Sequence, residues 1–241
     1  MTPDDATAQF FEIHSGLPQE APGSDESTAR ALAVVGALPD RPVILDVGCG
    51  PGRQTLVLAR ALPGATIHAV DTHQPFLDEL AARVAAAQVA ADVIPVNARM
   101  AELAFPFRFD LIWSEGALYI MGLAKAVAYL KRFLQPGARL ALTELAWLVE
   151  RPSAEAAQYF ADAYPDIKSI ADNLAVFRAA GYETLAHFVL PPSDWWRYYD
   201  PIRRRLAELA VPSAISAAEA REIEMYERHG DEYGYVFFIL A

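Results

Sequence analysis

Residues 43–54 read VILDVGCGPGRQ. Val43, Ile44 and Leu45 lead into Asp46, and glycine then falls on alternate positions at Gly48, Gly50 and Gly52. An apolar-periodic run from Thr55 to Leu62 follows. The pattern reads as a buried parallel strand, a glycine turn and a helix N-terminus. In α/β folds that arrangement holds an anionic or zwitterionic nucleotide-like ligand. The competing reading is a turn that only tightens strand-to-helix packing. Glycine is needed where a Cβ would block positive φ or keep the backbone off a ligand. Pro51 suits a first helical turn, where its missing N–H costs little.

The spacing separates two ligand classes. A dinucleotide fingerprint, G-x-G-x-x-G counted from Gly48, requires its third glycine at position 53, where Arg53 stands. Two phosphates also need a neutral or basic mouth, whereas Asp46 sets a carboxylate before the loop and suits a ligand carrying an ammonium group. On these residues LDVGCGPG resembles the first motif of the class I S-adenosylmethionine-dependent methyltransferases, hydrophobic-(D/E)-x-G-x-G-x-G. The resemblance implies S-adenosyl-L-methionine as cofactor, held around Asp46, Gly48, Cys49, Gly50 and Gly52. It also implies in-line transfer of the sulfonium methyl group. Alignment of donor and acceptor then supplies much of the acceleration, and a general base is needed only where the acceptor must lose a proton.

The rest of the chain extends this reading. Thr66–Val70 reads as a second strand ending at Asp71, nineteen residues past Gly52. An acidic side chain there, followed by Thr72, is placed to accept both ribose hydroxyls; taken alone it is a turn aspartate. Gln74–Val89 is an amphipathic helix and Val93–Val96 a third strand. In the family the next turn commonly carries an acidic residue near the adenine amino group. Arg99 stands at that position, so the resemblance leaves adenine to backbone groups around Arg99 and Met100, with the Met100 side chain against the ring. A fourth strand, Phe109–Trp113, also resembles the family and ends at Glu115 and Gly116, which should face the cofactor. A helix at Ala124–Leu134, a Leu134-Gln135-Pro136-Gly137 turn and a fifth strand at Arg139–Leu145 follow.

Outside roughly residues 26–145 the resemblance is architectural. Residues 1–24 carry Phe10, Phe11, Ile13 and Leu17 in a polar setting and read as a segment that docks, as a lid would. Glu26–Leu38 reads as a helix with Ser24 or Asp25 as its cap. Helices are expected at Pro152–Tyr164, Ser169–Ala180, Pro201–Leu209 and Ser216–His229, and strands at Tyr182–Leu190 and Tyr233–Leu240. Residues 146–165 and 191–230 read as insertions on the substrate side or as packing. The alternation gives a doubly wound, Rossmann-like α/β sheet in one domain over residues 1–241. The resemblance supplies seven strands in the order 3-2-1-4-5-7-6, with strand 7 antiparallel.

Composition excludes several functions. Lys+Arg 20 against Asp+Glu 31 leaves a formal net charge of −11, a poor match to nucleic-acid backbones. The basic run Arg203–Arg205 reads as a solvated helix face. The single cysteine, Cys49, admits no internal disulfide and no multi-cysteine zinc site, and no metal is expected. The polar, acidic MTPDDATAQF does not resemble a signal peptide, and no apolar run spans a bilayer, so a cytoplasmic location is expected. No N-P-P-(Y/F) tetrapeptide follows the fourth strand, where S-E-G-A stands. The chain therefore resembles the small-molecule branch, which includes the ubiquinone and menaquinone C-methyltransferases.

Three residues are candidates for chemistry. His14 is a base, a substrate contact or a polar residue of a docked segment. Glu144 points toward the expected pocket or fixes a loop. Tyr119 orients an acceptor or packs on the following helix. Trp195, Trp196, Tyr198 and Tyr199 either pack the C-terminal helices or wall an apolar pocket or a homodimer contact. The expected partner is a small, partly apolar methyl acceptor. A non-catalytic S-adenosylmethionine-binding protein and a nicotinamide-dependent oxidoreductase are the alternatives.

Overall fold

The computed structural model describes residues 3–208 and 213–241. Helices α1 (Pro3–His14) and α2 (Asp25–Val35) precede the first strand, β1 (Val43–Val47). Then come α3 (Arg53–Ala61), β2 (Thr66–Asp71), α4 (Gln74–Ala87), β3 (Asp92–Asn97) and β4 (Phe109–Ser114). The second half holds α5 (Leu123–Leu130), β5 (Leu134–Trp147), α6 (Ala154–Ala163), β6 (Lys168–Ser169) and α7 (Ile170–Ala179). It closes with β7 (Thr184–Val189), α8 (Pro192–Glu208), α9 (Ala214–His229) and β8 (Tyr233–Leu240). Ser24, Ser153, Ser169 and Ser213 each cap a helix with a side-chain oxygen.

One sheet results, ordered β3-β2-β1-β4-β5-β8-β7, with the two-residue β6 alongside the end of β5. β1 lies parallel between β2 and β4, and β8 runs antiparallel to β5 and β7. With β6 set aside, this is the expected order. Both faces of the sheet are covered, so its central strands carry apolar residues on both sides. Ile44, Trp113 and Phe237 face a layer with Ala31, Val35 and Leu58 of α2 and α3. The alternate residues Leu45, Ile112 and Phe238 face Val127, Leu130 and Phe177 of α5 and α7. Each such side chain contributes about 1.5–3 kcal/mol by leaving water. None of the described helices is long and apolar enough to cross a membrane.

The structure departs from the sequence reading at four places. Residues 3–14 form a helix, where only a docked segment was expected. Pro51 lies in the turn ahead of α3, because Gly52 is the helix N-cap in the left-handed region. Gln135, Pro136 and Gly137 fall inside β5, whose pairing with β4 is irregular between Phe109 and Leu111. Finally, α8 begins at Pro192 and runs through Pro201 instead of starting there. Proline costs an interior helix one hydrogen bond. Burial of Trp195, Tyr198, Tyr199 and Ile202 along one side of α8 outweighs that loss. The end expected at Leu209 lies outside the described residues.

Two left-handed glycines separate backbone strain from packing. Gly122 (φ 81°) has open space where a Cβ would stand, whereas at Gly52 (φ 88°) a Cβ would overlap the Leu80 side chain. Gly122→Ala should therefore cost about 1–2 kcal/mol. Gly52→Ala should cost about 1–3 kcal/mol more, because Leu80 is fully buried. Urea unfolding with unchanged m-values measures both; equal losses would show that Leu80 does not confine the loop.

Candidate active site

The glycine loop leaves β1 and is fastened at once to the end of β2. The Gly48 and Cys49 N–H groups both donate to the Val70 carbonyl, at 2.8 and 3.0 Å. The Gly50 N–H donates to Asp71 Oδ2 at 2.9 Å, and the His73 N–H donates to Asp71 Oδ1 at 2.9 Å. An ionised carboxylate accepts about four hydrogen bonds, so Asp71 keeps room for further donors. Asp71, Thr72, Gly48, Cys49, Gln54, Glu115 and Gly116 line a cleft of ≈200 Å³ at the carboxyl ends of β1, β2 and β4. Gly116 donates its N–H to Thr143 Oγ1 at 2.8 Å. The Cys49 side chain is buried, and burial together with the nearby Asp46 carboxylate pushes its thiol well up, so it stays protonated.

Asp46 does not open onto this cleft. It is fully buried, accepting from Thr55 Oγ1 at 2.6 Å and Gln54 Nε2 at 3.3 Å. Burial lifts its pKa to about 7 against those hydrogen bonds. Its influence on a ligand is thus indirect, through Gln54, which also donates to the Cys49 carbonyl at 3.2 Å. Glu115 is similarly committed. Trp113 Nε1 and Thr28 Oγ1 donate to Oε1, each at 2.8 Å, and the Arg53 guanidinium pairs with Oε2. Arg53 is therefore a lock joining α2, α3 and the end of β4, a role the sequence did not suggest. Arg99 is exposed beside Glu102, and Met100 packs against the core. Neither lines the cleft, whose outer wall is Phe10, Phe11, Gln19, Glu20 and Ala21.

A second cavity of ≈250 Å³ adjoins the first, with Phe10, Glu20, Ala21, Gly116 and Tyr119 lining both. It brings the three candidate residues into one region. Glu144 is buried within β5, not at its end, and accepts from Tyr164 Oη at 2.7 Å; burial lifts its pKa to about 7. Tyr119 is 47 % exposed, standing edge-on to Tyr164 with ring centroids 5.9 Å apart. His14 is fully buried just behind the wall, with Nδ1 2.7 Å from Glu20 Oε2 and Nε2 3.5 Å from Glu219 Oε1. Burial alone would depress its pKa. The two carboxylates overcome that and hold it at about 9, so His14 is a cation at neutral pH. Phe10 stacks on its ring at 4.0 Å.

The aromatic cluster combines two of the roles left open for it. Trp195, Tyr198 and Tyr199 pack with Ile13, Leu17 and Tyr226, and the same three residues wall the second cavity. Glu20, Glu219, Glu222 and Tyr164 escaped the sequence reading. A signal existed for one: Glu219 lies on the helical stripe Ser216, Glu219, Ile223, Tyr226, a carboxylate in an otherwise inward-facing row. Among the described residues no group of three His, Cys, Asp or Glu is arranged to hold a metal ion.

Residues 44–137 match a family model described as a methyltransferase domain. That segment carries the glycine loop, Asp71, Glu115 and Gly116. The chain has a methyltransferase fold. A methyltransferase from Geobacter sulfurreducens, solved with S-adenosyl-L-homocysteine, superposes with a TM-score of 0.83 at 21% identity, covering 96% of both chains. One from Thiobacillus denitrificans, also with S-adenosyl-L-homocysteine, gives 0.82 at 24% identity over 97% of both. The bifunctional biotin-biosynthesis protein BioCD of Bordetella avium (strain 197N) is 32% identical over 143 residues, 59% of this chain. The match spans 29% of that protein's length.

The buried groups set a sign for stability against pH. Asp46, Glu144 and Glu222 rise to about 7 from ordinary carboxylate values, and His14 rises to about 9 from 6.5. All four hold protons more tightly folded than unfolded. The carboxyl contribution is complete below about pH 4 and is lost as pH rises through about 7. The His14 contribution is intact below about pH 6.5 and is lost through about 9. The melting temperature should fall from about pH 5 to 9, and His14→Gln should flatten the upper half alone. A melting temperature that climbs across this range would contradict the assignment.

Proposed function

We propose that the protein transfers a methyl group from S-adenosyl-L-methionine to a small, partly apolar acceptor. One observation carries the reading: a strapped glycine loop with a free-sided Asp71 opens beside a second cavity, and the two share a wall at Gly116 and Tyr119. The first compartment suits the cofactor. Gly48 and Cys49 line it, Asp71 with Thr72 takes the ribose, and Glu115–Gly116 forms its inner side, while Gly50, Gly52, Arg99 and Met100 are not among the residues lining it. Gly50 holds the loop close under the wall segment, because a Cβ there would stand 3.3 Å from Glu20 Cγ. When bound, the cofactor supplies a methyl carbon already activated by the sulfonium, so the protein's task is largely to align the acceptor and exclude water. The segment 10–22 serves as the lid over both compartments. The S-adenosyl-L-homocysteine complexes of the two similar structures support the choice of cofactor.

The acceptor enters the second cavity, where Tyr119 orients it and Glu144 lines the wall as a group able to take a proton. A quinone or phenol, as in the ubiquinone-type branch, is the second reading, favoured by the aromatic walls. A nicotinamide cofactor is disfavoured. Arg53 is spent on Glu115, and the cleft presents Glu20, Asp71 and Glu115 where a pyrophosphate would need cations. A purely cofactor-binding role would leave the second cavity without a purpose.

Isothermal titration with S-adenosyl-L-homocysteine and with NADH tests the cofactor. The first should bind and the second should not. Asp71→Ala should weaken binding at least about tenfold, equivalent to roughly 1.4 kcal/mol, and Gly50→Val should abolish it with the melting transition retained. Binding of NADH alone, or parent-like binding by both variants, would end the reading. Mass-spectrometric detection of a product heavier by one methylene, across amines, phenols and quinones, separates an enzyme from a passive binder.

A further inference from the structure

We infer that the acceptor is an amine, recognised as its ammonium ion in the cavity between β5, α6, α8 and α9; this rests on the methyl-transfer reading above. Among the described residues four carboxylates line that cavity, Glu20, Glu144, Glu219 and Glu222, and no lysine or arginine does. The His14 imidazolium, set behind Glu20 and Glu219, offsets one of them. Glu144 and Glu222 are engaged by tyrosine hydroxyls, Tyr164 at 2.7 Å and Tyr199 at 2.9 Å, neutral donors that bring no compensating positive charge. A cavity built for a quinone has no use for this charge, and a phenolate or carboxylate substrate would be repelled by it.

The cavity wall also contains buried oxygens without partners. Tyr233, 2 % exposed in the wall, has a hydroxyl without a hydrogen-bond partner among the described residues, and so does Oε1 of Glu20. Leaving such atoms unpaired in the buried state is costly. An ammonium group carries donors and no acceptor, so it satisfies carboxylate and hydroxyl oxygens together. The surrounding rings, Trp195, Tyr159, Tyr198 and Tyr235, add faces that attract a cation and cover an apolar tail.

Glu144 gives the site its proton step. The ammonium N–H proton passes to the Glu144 carboxylate and the nitrogen regains its lone pair. The N–C bond to the methyl group then forms as the C–S electron pair returns to sulfur. The positive charge ends on the N-methylammonium product, and Glu144 later releases its proton to water. Glu144 is faced by Tyr164, Lys168 and Asp166, and Glu222 by Glu219, Tyr199 and His14. With both carboxyl groups lifted by burial to about 7, an entering ammonium displaces protons near neutrality.

The test is isothermal titration of the full chain saturated with S-adenosyl-L-homocysteine. The probes are 2-phenylethylamine and 3-methylbutylamine, each against the alcohol of the same skeleton, with 4-ethylphenol as a further probe. The amines should bind at least tenfold more tightly than the alcohols at pH 8, and less so at pH 6. Heats in buffers of different ionisation enthalpy should show proton release on amine binding near pH 7. Glu144→Gln should remove part of that release, and Glu222→Gln should cut the amine preference at least fivefold with the alcohols unaffected. Should either variant melt, Tyr233→Phe, which deletes only the unpaired hydroxyl, should still reduce the preference. Equal or absent binding of amine and alcohol, or tighter binding of 4-ethylphenol, overturns the amine. If S-adenosyl-L-homocysteine itself fails to bind, the methyl-transfer reading falls instead, so the two failures are distinguishable.

Discussion

Three backbone N–H groups fasten the loop of β1 to the tip of β2: Gly48 and Cys49 to the Val70 carbonyl, and Gly50 to the Asp71 carboxylate. Everything in the cleft depends on that strap. It fixes the glycine backbone at the edge of the sheet and points the remaining lone pairs of Asp71 across the same opening. On the other side Arg53 reaches from α3 to Glu115 at the end of β4, under Thr28 of α2. The ends of three strands are thereby locked before any ligand arrives. Ordering costs that would weaken binding are met during folding, so contact energy is available for affinity and alignment.

Features with a local period were legible in the sequence. The alternation of Ile44 and Leu45 between two faces, the glycines at every second residue and the nineteen-residue step to Asp71 depend only on neighbours along the chain. The aromatic strand Tyr233–Leu240 was equally plain, its bounds coinciding with β8. Harder positions were those where distant contacts decide. Pro201 reads as a helix start and becomes an interior residue because α8 buries four large side chains around it. Lys168–Ser169 pair with β5, yet two residues carry no periodicity. Asp46 was expected to act on the ligand directly. Gln54 and Thr55, eight and nine residues on, turn it inward.

The second cavity was illegible for a related reason. Its carboxylates come from residues 20, 144, 219 and 222, and only Glu219 and Glu222, one helical turn apart on α9, are linked by spacing. Residues 44–137, which match the methyltransferase model, supply only Gly116 and Tyr119 to its wall. A motif in that segment describes the glycine-loop cleft, and the second cavity is built almost wholly by the flanking segments. The aromatic density around Trp195 marked the place. The charge that gives the place its chemistry was visible only as a net excess of acid over the whole chain.

Access to both compartments converges on the segment between Phe10 and Ala21. Ala21 sits where a Cβ on Gly116 would have to go, and Glu20 sits over Gly50. The segment is held by side chains reaching to its carbonyls, Arg83 to Leu17 and Pro18, and Arg205 to Glu12 and Ser15. Exposed contacts of this kind are each worth about 1 kcal/mol or less. The sheet strands, by contrast, are tied by ladders and buried on both faces. Ile13 and Leu17 supply the apolar hold against the aromatic cluster. The segment is also where the His14 cation stands between Glu20 and Glu219, so the group that balances the cavity's charge belongs to the segment that walls both compartments.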